Sequence, residues 1–153
     1  MASRISGLMS GIAGEYFVAA ELTRRGYIAS LTLRNTRGID ILASNQNATK
    51  SVGIQVKAVQ GGGKSWMLNQ KVEAGDATNL FFVFIRLNNL EAPEYYIVPR
   101  EDVSRFAADN HKLWLATPGR KGQKHNDNPM RQFKDPTNEY RDKWELLGLG
   151  NDA

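Results

Sequence analysis

The run Leu80-Phe81-Phe82-Val83-Phe84-Ile85 constrains the fold more than any other stretch of this chain. It is apolar throughout and rich in aromatic and β-branched residues. That pattern predicts a strand buried on both faces. Such a strand lies inside a sheet covered on each side, which for 153 residues means an α/β arrangement in a single domain, residues 1–153. The run is far shorter than the roughly 20 residues of a membrane span. The chain has no cysteine, which excludes disulfide frameworks, thiolate metal sites and cysteine nucleophiles. The start of the sequence shows no secretory pattern, so the expectation is a cytoplasmic protein with no membrane partner.

Around that strand the pattern predicts a helix over about Ser6–Arg25, ended by Gly26, because Leu8, Ile12, Ala19 and Leu22 recur at helical spacing. Strands at Tyr27–Leu33, Ile39–Ala43 and Val52–Ala58, joined by short polar turns including Arg34–Gly38, predict an antiparallel meander. Trp66–Leu68 suits a short edge strand, Tyr95–Val98 a further strand, and Pro99 opens a helix over about Arg100–Asn110. The Pro- and Gly-rich stretch Thr117–Pro136 predicts an irregular loop with at most a turn near Met130–Phe133, and Asn138–Leu147 a closing helix.

Three polar positions break the pattern. Glu15 falls in the middle of the apolar helical stripe, whereas Glu21 points away and reads as surface. A buried carboxylate is costly unless paired, hydrogen-bonded or metal-bound. Asp40 interrupts Gly38-Ile39-Asp40-Ile41-Leu42, where β-propensity disfavours it. In Gly53-Ile54-Gln55-Val56-Lys57-Ala58, alternation sets Gln55 and Lys57 together on the face opposite Ile54 and Val56. Each has an ordinary explanation: a salt bridge for Glu15, a turn-capping edge Asp for Asp40. Together, in adjacent elements, they suggest one convergent site.

The order Gly14-Glu15 on a first helix, then Gly38-Ile39-Asp40, then Gln55-Val56-Lys57 after a short hairpin resembles the PD-(D/E)XK nuclease superfamily, in particular its restriction-endonuclease-like and Holliday-junction-resolvase-like members. The likeness spans about residues 8–100. It implies a central mixed sheet of about four or five strands flanked by helices, and a Mg²⁺-dependent endonuclease, with Mn²⁺ able to substitute, acting on DNA that includes branched or junction forms. Asp40 matches the family's metal-binding aspartate, Lys57 its catalytic lysine and Glu15 the helix-borne acid of the resolvase-like branch. Gln55 stands where an acid is usual, and Ile39 where proline is. The resemblance assigns metal ligation to Glu15, Asp40, Gln55 and the Val56 carbonyl, and implies a two-fold homodimer. The neutral Gln55 also suits a catalytically inactive module of the same fold that binds nucleic acid or a protein partner.

Charge supports a polyanion partner. Between Lys112 and Lys143 eight basic side chains face four acidic ones, so the whole net charge of +4 resides in that stretch of the basic loop and C-terminal helix, 112–147. Lys64, Arg120, Lys121, Lys124 and Arg131 are the expected phosphate contacts. Gly61-Gly62-Gly63-Lys64-Ser65 invites a phosphate-loop reading, but Ala58 replaces the first glycine and no Walker-B acid follows. His111 and His125 lack metal-ligand spacing, no Gly-x-Ser-x-Gly occurs, and Trp66, Trp114 and Trp144 suit a core better than base stacking.

Overall fold

The computed structural model describes residues 4–33, 38–74 and 78–150. The elements are α1 (Gly7–Arg24), β1 (Ile28–Leu31), β2 (Ile41–Ser44), β3 (Ser51–Val59), β4 (Trp66–Asn69), β5 (Leu80–Arg86), β6 (Glu94–Pro99), α2 (Arg100–Ala116) and β7 (Met130–Phe133), with 3-10 turns at Gln70–Glu73 and Trp144–Leu147. Strands β1, β2, β3, β5 and β6 form one sheet in that order. The first three make the expected antiparallel meander. β5 joins β3 in parallel and β6 antiparallel, giving the expected mixed sheet.

β5 is apolar throughout because its alternate residues enter two cores. Phe81, Val83 and Ile85 join Val18 and Leu22 of α1 with Ile41 and Ile54. Phe82 and Phe84 face the other way, toward Trp66, Phe133 and the α2 residues Val103 and Ala107. The first core is largely aliphatic. In the second, Phe84 stacks on Phe133 at 4.4 Å, and the Trp66 indole N–H donates to the Ile85 carbonyl at 3.1 Å. Trp66 and Trp144 are therefore core residues.

α1 begins where Ser6 caps the Met9 amide at 3.2 Å. Its buried face runs through Ser10, Gly14, Val18, Glu21 and Leu22, and Leu8, expected inside, is exposed. Gly14 explains the rotation. A Cβ at this position would sit 2.9 Å from the Ala58 Cβ and 3.4 Å from Val56, so only glycine lets the helix lie this close to β3. Glu21, expected at the surface, is buried and holds Arg24 at 2.9 Å and Arg25 at 3.1 Å. Its charge is thereby paired.

Three expectations fail in the second half of the chain. Met130–Phe133 is a strand rather than a turn, paired antiparallel with β4 as a separate two-stranded sheet. Its partner lies some sixty residues upstream, beyond the reach of local propensity. α2 continues past Asn110 to Ala116. The C-terminal helix is absent, leaving only the turn Trp144–Leu147. Left-handed Asn138 and Asp142 interrupt it. Asp135 accepts the Glu139 and Tyr140 amides, each at 2.9 Å. The segment then straps the free edge of β6, where the Tyr140 carbonyl accepts from Ile97 and the Asp142 amide donates to Tyr95. A covered edge resists further strand pairing. The expected turn Arg34–Gly38 falls largely outside the described residues. No described helix is long and apolar enough to cross a membrane.

Candidate active site

The site forms where β3 loses a neighbour. β2 ends at Ile41, opposite Ile54, so Val56 has no strand residue beside it on that edge. Asp40 fills the gap. Its amide donates to the Ile54 carbonyl at 2.8 Å, and its own carbonyl accepts from Thr32 at 3.0 Å. The carboxylate Oδ2 accepts from the Val56 amide at 2.7 Å. Asp40 thus supplies with its side chain the acceptor a continuing strand would have given. In an extended strand the N–H and C=O of one residue leave on the same edge, so the Val56 carbonyl emerges beside this carboxylate. Gly38, at φ +66°, turns the chain into this corner.

Gln55 and Lys57 point to the α2 side of β3, in register with Phe82 and Phe84. They line a cavity of about 270 Å³ with Gly38, Leu68, Asn69, Lys71, Val72, Phe82 and Arg100. A Cβ on Gly38 would lie 3.9 Å from Gln55 Oε1, so the amide oxygen faces the Gly38–Asp40 segment. Asp40, Gln55, Val56 and Lys57 therefore share one corner of the sheet. Glu15 comes from the opposite side. It follows Gly14 on the helix packed over Val56 and Ala58, and is half-buried there. Glu15 and the Gln55–Lys57 pair thus sit on different faces, with the Asp40–Val56 edge between them.

The expected phosphate contacts divide. Arg120, Lys121 and Lys124 are exposed on the loop after α2. Arg131 is not available: it is buried, pairs with Glu73 and donates to the Asn128 and Met130 carbonyls. Its alternation in β7 turns it inward, a consequence of the strand that composition concealed. Lys64 lines a second cleft with Arg86, Lys134 and Arg141, but Arg86 and Arg141 both hold Glu94. The glycine loop before Lys64 leads into β4 rather than a helix, so it lacks the helix N-terminus on which a phosphate loop depends. His111 meets Asp127 at 2.8 Å, and Trp114 lies between His111 and His125 in a ring stack. Hydrogen bonding to His111 holds the Asp127 carboxyl below its usual range. Lys71 and Arg100, which border the cavity, carry no sequence signal; only the packing of Gln70–Glu73 against α2 brings them there.

This architecture is the restriction-endonuclease-like fold. No protein-family profile matches the chain, and no curated protein matches it by sequence. Among the solved structures that share its architecture are two nucleases. One is Hjc, a Holliday junction resolvase from the archaeal hyperthermophile Archaeoglobus fulgidus, with a TM-score of 0.53 and 13% identity over 92% of this chain and 97% of that one. The other is a bacterial homing endonuclease, with a TM-score of 0.55 and 14% identity over 93% of this chain and 92% of that one.

Proposed function

We propose that the chain is a metal-dependent endonuclease that hydrolyses DNA phosphodiester bonds, branched or junction DNA among its substrates. The observation that carries this reading is the Asp40 carboxylate bonded to the Val56 amide at the edge of β3, beside Gln55 and Lys57. The donor set suits Mg²⁺ or Mn²⁺. Asp40 keeps a second oxygen, Gln55 offers an amide oxygen and Val56 a carbonyl, all hard ligands. Among the described residues no three His, Cys, Asp or Glu gather as a metal-holding group. An ion here would be held by one or two carboxylates and water, as Mg²⁺ commonly is. Glu15 would approach from the other face of the same edge.

A bound divalent ion supplies charge neutralisation at the phosphate and a water acidic enough to act near neutral pH. The protein's part is placement. Asp40 is held by hydrogen bonds through its amide, carbonyl and carboxylate, so its second carboxylate oxygen has a fixed direction. Lys57 as an ammonium has three donors and no acceptor. It would donate to the phosphate and orient the attacking water rather than remove its proton. Exposed apolar side chains on α1 (Leu8, Tyr16, Phe17) and on β1 and β2 (Ile28, Leu31, Leu42) support a homodimer as part of the proposal; sedimentation velocity should then give twice the chain mass.

Gln55 favours a second reading, an inactive module of the same fold that binds nucleic acid. One experiment separates the two. Purified protein is incubated with supercoiled plasmid and with a four-way junction, with Mg²⁺, Mn²⁺ or chelator. The nuclease reading expects cleavage with metal, lost in Asp40→Asn and in Lys57→Ala. Binding of both DNAs without cleavage under any metal establishes the second reading.

A further inference from the structure

Beyond Gln55 and Lys57, the same cavity is lined by Asn69, Lys71 and Arg100. Three cations thus border about 270 Å³, and among the described residues no carboxylate lines it. Both added cations sit on fixed elements. Lys71 lies in the 3-10 turn Gln70–Glu73, whose first residues are held by Asn69 accepting the Lys71 amide at 3.0 Å. Arg100 is the first residue of α2, and its Nη2 donates to the Ala74 carbonyl at 2.7 Å. Ser104 ties α2 to the same turn through the Val72 carbonyl at 2.5 Å.

Among the described residues their charge is left unanswered. Among the described residues no carboxylate pairs with Lys57, Lys71 or Arg100, and the nearby Glu73 is taken by Arg131. The Arg100 Nε is buried and has no hydrogen-bond partner within the described protein. A buried donor without an acceptor is destabilising, and like charges around one cavity repel. A small polyanionic group relieves both at once, offering oxygens to the guanidinium and the two ammonium groups. The cleft around Lys64 lacks this property, since its arginines already hold Glu94.

We propose that Lys71 and Arg100 form a seat for a DNA backbone phosphate next to the one at Lys57, so that the strand enters the site across Asn69. The position of that phosphate relative to a cleaved bond rests on the nuclease reading above; the seat itself does not. The test is therefore binding without metal. Anisotropy of a fluorescently labelled duplex and four-way junction is measured in chelator across a salt series, for the wild type, Lys71→Ala, Arg100→Gln and Arg100→Lys. Lys71→Ala and Arg100→Gln should each weaken binding about tenfold and lower the slope of log K against log salt by about one. Arg100→Lys, which keeps the charge, should keep the wild-type slope. Thermal melts confirm that each variant is folded, and Lys71→Ala, whose side chain makes no hydrogen bond or ion pair among the described residues, decides the matter if Arg100→Gln unfolds. Weakened binding supports the seat even if no DNA is ever cut. Wild-type affinity and salt slope in Lys71→Ala overturn it, whatever happens to cleavage.

Discussion

The two halves of β3 are one strand with two occupations. From Ser51 to Ile54 it has β2 on one edge, joined by β5 on the other from Gly53, and Val52, Gly53 and Ile54 are buried. From Gln55 to Val59 it keeps β5 alone and every residue is half-buried. The closed half holds the sheet together. The open half presents an amide, an ammonium and a backbone edge that the sheet does not use, next to a carboxylate. A sheet of this kind obtains an open polar corner by ending one strand early.

That contrast predicts opposite consequences for the two halves. Asp40→Asn keeps an oxygen to accept from Val56 but loses the charge. Metal-dependent cleavage should fall about a thousandfold or more, since several kcal/mol of charge stabilisation is removed, while the melting temperature stays close to wild type. Ile54→Ala, in the closed half, should do the reverse. Its cavity should cost about 2–5 kcal/mol in a denaturant melt, with cleavage per folded molecule retained. A fall in cleavage with no loss of stability would dissolve the distinction between the halves.

The closed half and the helix over it also bear on how much of the molecule could be read in advance. Period-two alternation in Gly53–Ala58 identified both the strand and the shared face of Gln55 and Lys57, because a strand's geometry fixes which side chains are neighbours. Asp40 was legible as a misfit. Its actual role was not: the carboxylate replaces a ladder acceptor, which requires knowing that β2 stops at Ile41. The helix misled more. Assuming that its large apolar residues face inward put Leu8 inside and Glu21 outside, whereas Gly14 and Ser10 let α1 rest on its small side. Arg131, β7, the C-terminal strap and the Lys71–Arg100 pairing all depend on contacts distant in sequence, to which local pattern is blind.

Gly14 therefore gives a sharper test. Gly14→Val would drive a side chain into Ala58 and Ile85, at about 1–3 kcal/mol. It should lift α1 and with it Glu15, lowering cleavage further than the stability loss explains if Glu15 serves the site. Gln55→Glu adds a charge to the open half. It should tighten Mn²⁺ binding about tenfold by calorimetry, one added carboxylate contact being worth roughly 1.4 kcal/mol. The smallest effect lies in the strap. Burial, with a hydrogen bond to Asp102, pushes the Tyr140 phenol up to about 12. The folded state prefers the neutral phenol, so its contribution is intact below the ordinary value near 10 and is lost as pH rises toward 12. Melting temperature should hold to about pH 10 and then decline, and Tyr140→Phe should blunt that decline.

The central claim is that the Asp40 edge of β3 holds a divalent cation. Crystals soaked in Mn²⁺ and measured at the manganese absorption edge address it directly. The account predicts an anomalous peak bonded to the Asp40 carboxylate in the wild type and absent from Asp40→Asn. Well-ordered crystals with no peak beside Asp40 at millimolar Mn²⁺, or a peak that survives in Asp40→Asn, would contradict it.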